Sequence, residues 1–117
     1  MILIVDSNEI FGECVLANLK KHGFVGHLSK NAIAAIEIVS EKIPELVFLD
    51  IMLTGPDGFT FLNEMASYAD TMNIPVVIIS EKDFSSYELS DYGVVGYLDK
   101  NILKPEDVLK YAKKYCK

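Results

Sequence analysis

Five short apolar runs, at residues 2–5, 24–28, 46–49, 76–79 and 94–98, constrain this chain more than any other feature. Most are rich in Val and Ile and do not alternate with polar residues, the pattern of strands buried on both faces of a parallel sheet. The run FVGHL at 24–28 is the most polar, which predicts an edge position. Helix-period patterns fill the gaps. Phe11, Cys14, Val15, Asn18 and Leu19 recur at three-and-four spacing between Asn8 and His22, and Gly23 supplies a helix stop. Ile33, Ile36 and Val39 make a second stripe over Ala32–Lys42, ended before Pro44. Phe59, Leu62, Met65 and Ala66 make a third. The segment 84–92, FSSYELSDY, predicts a fourth helix, the weakest, built of poor formers and ended at Gly93. The fifth runs from Pro105, well placed in a first turn, to Tyr115, with Val108, Leu109, Ala112 and Tyr115 facing inward. Five strand–helix alternations predict an α/β, doubly wound, five-stranded parallel sheet with right-handed crossovers and helices on both faces.

Composition narrows the class. At 117 residues, with half of them hydrophobic and 24% charged, the chain suits one soluble globular domain with a real core. A net charge of −6 disfavours direct contact with nucleic acid, because like charges repel. All 11 basic residues are Lys, so no guanidinium fork is available to grip a phosphate. Cys14 and Cys116 show no metal-binding spacing, and two thiols in a reducing cytosol are the simplest reading. His22 and His27 have no acid or thiol pattern around them and read as surface residues. No apolar stretch approaches a membrane span, and no basic segment precedes the first run as in a signal peptide.

In an open parallel sheet, ligands bind beyond the carboxyl ends of the strands. The first run ends at Asp6, the third at Asp50, the fourth at Ser80 and the fifth at Lys100. Two carboxylates, a hydroxyl and an amine at one rim make a candidate site. Carboxylates hold a hard divalent cation such as Mg²⁺. An aspartate can attack phosphorus to form an acyl phosphate, with a metal and a lysine offsetting the phosphoryl charge. A flavodoxin-like nucleotide or flavin binder fits poorly, since DSNEIFG lacks a Gly- and Ser/Thr-dense phosphate cradle.

The motifs ILIVD, PELVFLDIML, GPDG, IPVVIIS and YGVVGYLDK together resemble the receiver domains of bacterial two-component response regulators, the CheY-like family. The resemblance covers Ile2 to about Tyr115 and implies one receiver domain over 1–117, of flavodoxin-like fold with strand order 2-1-3-4-5. It implies that Asp50 is the phosphoacceptor and Asp6 an acidic-pocket carboxylate. It also implies that the Met52 carbonyl contacts Mg²⁺, Ser80 is the switch hydroxyl, Lys100 contacts the acyl phosphate and Tyr97 is the switch aromatic. The protein is then no ordinary enzyme but a phosphoacceptor that assists its own phosphorylation and dephosphorylation. The implied partners are a histidine kinase or phosphotransfer protein and a downstream protein target, with no nucleic acid and no membrane. The implied setting is cytoplasmic. The implied output face combines the fourth helix, fifth strand and fifth helix. The alternative is a pseudo-receiver that recognises proteins without phosphorylation. The chain ends just after its fifth helix, which predicts no effector domain, so that it either docks on a partner or is part of a longer chain.

Four departures from the family pattern stand out. Ser7 occupies the place of a second acid, which predicts weak Mg²⁺ binding and a helix-capping role for Ser7 itself. Glu9 is the nearest acid that could compensate. Asn101 replaces the proline that usually follows the lysine, and a non-proline cis bond costs roughly 2.5–4 kcal/mol, so a trans bond is expected there. Thr54 stands where a proline is common, and Glu81 where a small residue is.

Overall fold

The computed structural model describes residues 1–53, 55 and 57–116. Thr54 and Pro56, named in the sequence reading, lie outside the described residues. Five strands alternate with helices: β1 (Ile2–Val5), α1 (Glu9–Lys21), β2 (Gly26–Ser29), α2 (Ala32–Glu41), β3 (Leu46–Leu49), α3 (Gly58–Ala66), β4 (Val76–Ser80), β5 (Val94–Asp99) and α4 (Pro105–Tyr115). All strand pairs are parallel, in the order β2-β1-β3-β4-β5. The polar second run lies at the edge as expected, starting two residues late, at Gly26.

The period of two along a strand divides each apolar run between two cores. Leu3, Val5, Val47, Leu49, Val76 and Ile78 pack on one face with Ala35 and Val39 of α2 and Phe61, Leu62 and Met65 of α3. Ile2, Ile4, Leu46, Phe48, Val77 and Ile79 pack on the other with Val15 and Leu19 of α1 and Val108, Leu109 and Ala112 of α4. Among the described residues, no helix is long and apolar enough to cross a membrane.

Three details of the helices differ from the sequence reading. The stripe expected on α2 is rotated: Ala32, Ala35 and Val39 face the core and Ile33 points to solvent. Small alanines let α2 lie close to the sheet, which leaves the bulkier isoleucine outside. On α1, Val15 and Leu19 are buried but Cys14 is exposed, and both cysteines are free thiols. The third is the predicted helix over 84–92, which is absent. That segment is a chain of turns with a single 3₁₀ turn at Ser90–Tyr92. Asp83 Oδ1 accepts from Ser85 N–H at 2.8 Å and Ser85 Oγ–H at 2.6 Å, a local bond that competes with helix. The Tyr87 carbonyl accepts from the Tyr97 hydroxyl at 3.0 Å.

Two backbone features set the height of the rim. β5 carries one extra residue against β4, since Val76 pairs Val94 but Val77 pairs Gly96. This bulge brings Asp99 level with Ser80 and Lys100 one residue nearer the rim. On the other side, α3 begins hard against the end of β3, and the Gly58 N–H donates to the Ile51 carbonyl at 3.0 Å. A Cβ on Gly58 would sit 2.6 Å from Ile51 Cα and 3.1 Å from the Asp50 carbonyl oxygen. Gly58→Ala is therefore expected to destabilise the fold by about 1–3 kcal/mol through overpacking against backbone, read as a lower urea midpoint. An unchanged midpoint would show that α3 retreats from the Asp50 strand end without penalty.

Candidate functional site

Each polar residue at the rim is oriented by the same local device. Asp6 Oδ1 accepts the Asn8 N–H at 2.8 Å, Asp50 Oδ1 the Met52 N–H at 2.9 Å, Ser80 Oγ the Lys82 N–H at 3.3 Å and Asp99 Oδ1 the Asn101 N–H at 2.8 Å. A side chain that bonds the amide two residues on turns the chain sharply as it leaves the strand. It also fixes which oxygen is left to face the site.

For the two aspartates that oxygen is Oδ2, and both meet one cation. Lys100 Nζ lies 2.8 Å from Asp6 Oδ2 and 2.9 Å from Asp50 Oδ2. The three side chains are 8%, 3% and 9% exposed for Lys100, Asp6 and Asp50. Phe11, from the first turn of α1, presents its ring 4.5 Å from the same ammonium. The structure thus brings Asp6, Asp50 and Lys100 together. Ser80 is joined to them through the backbone, its carbonyl accepting the Lys100 N–H at 2.9 Å. Tyr97 lies on the neighbouring strand with its hydroxyl turned to Tyr87, not to Ser80.

The electrostatics follow from burial. Desolvation pushes the Asp6 carboxyl above its ordinary range; Lys100 and the Asn8 amide pull it back only in part, and the Asp50 charge adds to the rise. Desolvation pulls the Lys100 ammonium down, but its bonds to Asp6 and Asp50 outweigh that and leave its pKa raised. The Lys100 contribution to stability is therefore fully present below the ordinary lysine range and is lost as pH climbs through the raised value. Desolvation, with the charge of Glu88, also raises the Tyr97 phenol.

Several expectations are corrected here. Ser7 does not cap α1; Asn8 does, its side chain accepting the Phe11 N–H at 3.1 Å. An Asn one residue later leaves Ser7 half-buried at the rim. Glu9 pairs with Lys30 at 3.2 Å on the open surface and turns from the site. The Lys100–Asn101 bond is trans, as expected. Asn101 serves the loop instead, its amide donating to the Glu81 carbonyl at 3.1 Å and to Asp99 Oδ1 at 2.9 Å. The sequence reading missed the roles of Phe11, Asn8 and Asn101. An aromatic in the turn after Asp6 and an Asp-x-Asn at the end of β5 were the available signals.

The site suits Mg²⁺ in kind and is thin in number. Asp6 and Asp50, with the Met52 carbonyl that the family resemblance implies, would make an oxygen-only donor set, which a hard cation prefers and completes with water. Among the described residues, no group of three acidic, His or Cys side chains is placed to hold a metal. Ser7 adds at most a neutral hydroxyl.

Fold and site together define a doubly wound domain with a buried carboxylate–lysine cluster at its strand ends, and comparison with known proteins gives it a family. Residues 2–113 match the response regulator receiver domain, and the chain belongs to that family. It is 32% identical over 82 residues to protein PilH of Pseudomonas aeruginosa, covering 70% of this chain and 68% of that one. Against response regulator MprA of a Mycobacterium species the identity is 26% over 101 residues, and the match spans only 43% of that longer protein. Among solved structures, the receiver domain of NtrX from Brucella abortus superposes with a TM-score of 0.85 at 27% identity, over 98% of this chain and 97% of that one. The chemotaxis protein CheY4 of Vibrio cholerae shares the fold, with a TM-score of 0.88 at 18% identity over 98% and 97% of the two chains. Receiver domains generally bind Mg²⁺ and interact with histidine kinases and downstream targets.

Two outcomes follow from this geometry. Lys100→Met leaves two buried carboxylates facing each other and is expected to lower stability by about 3–5 kcal/mol at pH 7. The raised Asp6 carboxyl rises further without its lysine, so the folded variant takes up a proton as pH falls, and the gap to native should narrow at pH 5. Urea titrations at both pH values measure this, and a gap independent of pH would refute the repulsion account. Ser7→Asp should tighten Mg²⁺ at least several-fold by calorimetry, since even about 1.4 kcal/mol of net attraction is tenfold in affinity. Equal affinity of native and variant would show that a carbonyl or water already replaces the missing acid.

Proposed function

We propose that this receiver accepts a phosphoryl group on Asp50 from a histidine kinase or phosphotransfer protein in the cytoplasm. The observation that carries this reading is the shared ammonium: Lys100 bridges Asp6 and Asp50 at a buried strand end. The site-facing carboxylate oxygen of Asp50 attacks phosphorus while the bond from phosphorus to the donor imidazole nitrogen breaks. The products are an acyl phosphate on Asp50 and the released imidazole. Lys100, already within reach of Asp50, neutralises charge on the arriving group. The Ser80 Oγ accepts the Lys82 N–H, which leaves its own proton to donate to a phosphoryl oxygen. When bound by Asp6, Asp50 and the Met52 carbonyl, Mg²⁺ supplies further positive charge for the phosphoryl oxygens.

Output then runs through Tyr97. Drawing Ser80 towards the phosphoryl group opens room beside β5 for the Tyr97 ring. Its inward movement breaks the hydroxyl bond to Tyr87 and releases the 84–92 segment. The surface that changes is made of that segment, β5 and α4, and its target is a protein. The net charge of −6 opposes direct DNA binding.

Ser7 and the two-acid pocket favour a second reading, a pseudo-receiver that binds proteins without phosphorylation. Incubation with Mg²⁺ and acetyl phosphate or phosphoramidate, followed by intact mass, separates the two. One acid-stable, base-labile phosphoryl group is expected on native protein and none on Asp50→Asn. Equal labelling of the Asn variant would remove Asp50 from its role, and a folded but unlabelled native protein would establish the second reading.

A further inference from the structure

Ile33 and Ile36 lie outside the buried stripe of α2, Ile33 in solvent and Ile36 half-buried at the edge of the core. Ile36 and Ser40 of α2, with Ile43 just past the helix end, line the side turned towards α3, and Ile33 lies one turn earlier on the helix. Between the two helices lies a groove of about 290 Å³, lined by Ile36, Ile43, Met65 and Tyr68 and by the acids Glu64 and Asp70. Ile33, Ile43 and Tyr68 are 56%, 43% and 55% exposed, a large apolar area to leave in water. Two of the groove hydroxyls are already used: Ser40 Oγ donates to the Glu37 carbonyl and Thr71 Oγ1 to the Met65 carbonyl, both at 2.6 Å. An occupant therefore meets carbon, carboxylate and the exposed Tyr68 phenol. Among the described residues, neither Glu64 nor Asp70 has an ion-pair partner, and no lysine or histidine lines the groove. Glu37 and Glu41 add exposed acids along the α2 side.

We infer that the α2/α3 groove docks a basic amphipathic helix of a partner protein. The helical part of this side, from Ile33 to Ser40, rises about 10 Å, and Ile43 extends it past the helix end, which matches roughly two to three turns of a helix laid alongside. Its anchors would enter between Ile36, Ile43 and Tyr68, with lysines or arginines flanking them over Glu64 and Asp70. A second copy of this chain is the poorer occupant. It carries the same acidic groove, and the exposed face of α4, which holds Lys110, Lys113 and Lys114, has no exposed apolar side chain to insert. The groove lies on helices α2 and α3, apart from the Asp50 rim and from the β5–α4 surface, so this contact is independent of phosphorylation.

The test uses isotope-labelled native chain and an 18-residue amphipathic helical peptide of Leu and Lys, with its Leu–Glu counterpart as control, in 150 mM salt. Saturable shift changes centred on Ile36, Ile43, Met65 and Tyr68 are expected with the lysine peptide and none with the glutamate peptide. Ile43→Asp and Glu64→Lys should each weaken binding at least fivefold. Both positions reach solvent, so neither change should unfold the chain. Glu106→Lys, the same charge change on the opposite side, should alter it less than twofold. The inference is overturned if shifts centre elsewhere, if Glu106→Lys weakens binding as much as Glu64→Lys, or if sedimentation shows the chain pairing with itself through this groove.

Discussion

One ammonium group holds the functional end of this molecule together. Lys100 sits between Asp6 and Asp50 at hydrogen-bonding distance from both, in a position closed to solvent. Two buried carboxylates this close would otherwise repel and would each bear a desolvation penalty. The lysine answers both problems at once, and the Phe11 ring closes it in from the side of α1. Three strands and two loops are thereby tied at one point. One lysine cannot neutralise two carboxylates, so the cluster keeps a net negative charge. That residual charge would favour a hard cation at the same oxygens.

The precision of this arrangement comes from backbone, not from long side chains. Four consecutive rim positions, Asp6, Asp50, Ser80 and Asp99, each bond the amide two residues further on. This leaves one oxygen per aspartate facing inward and removes rotamer freedom before any ligand arrives. The bulge in β5 draws Lys100 back by one residue towards that rim, and the bare Cα of Gly58 lets α3 begin against Asp50. The site depends on strand ends arriving at one height, so small errors in register would scatter it.

The face made of residues 84–92, β5 and α4 is less regular than its counterparts. Where a fourth helix would lie, residues 84–92 form turns pinned by buried Phe84 and Leu89 and by the Tyr97 hydroxyl. The ring of Tyr87 packs with Phe59 and Phe84, so this loop is anchored by aromatic contacts in place of helical bonds. A segment without regular helical bonds opens at lower free energy than a helix would, which suits the proposed role of this surface.

Strand number, parallel pairing and the rim residues were legible from the chain alone, because an unbroken apolar run ending in Asp, Ser or Asp-Lys has few other homes. The edge position of β2 was legible too, from its polar Gly26 and His27. Helix rotation was not. Spacing alone could not tell whether Ile33 or Ala32 meets the sheet, since both lie on stripes of helical period, and close packing of small residues decided it. Helix content over 84–92 was not legible either: Asp83, Ser85 and Tyr97 form bonds there that depend on where β5 lies. The meeting of Lys100 with two carboxylates it is separated from by 50 and 94 positions is also a tertiary fact. The sequence by itself determined which chemical groups end each strand, because alternation and burial are properties of neighbours along the chain. Only the folded sheet decided their distances, because those depend on strand order, on one extra residue in β5, and on which helix face the core would accept.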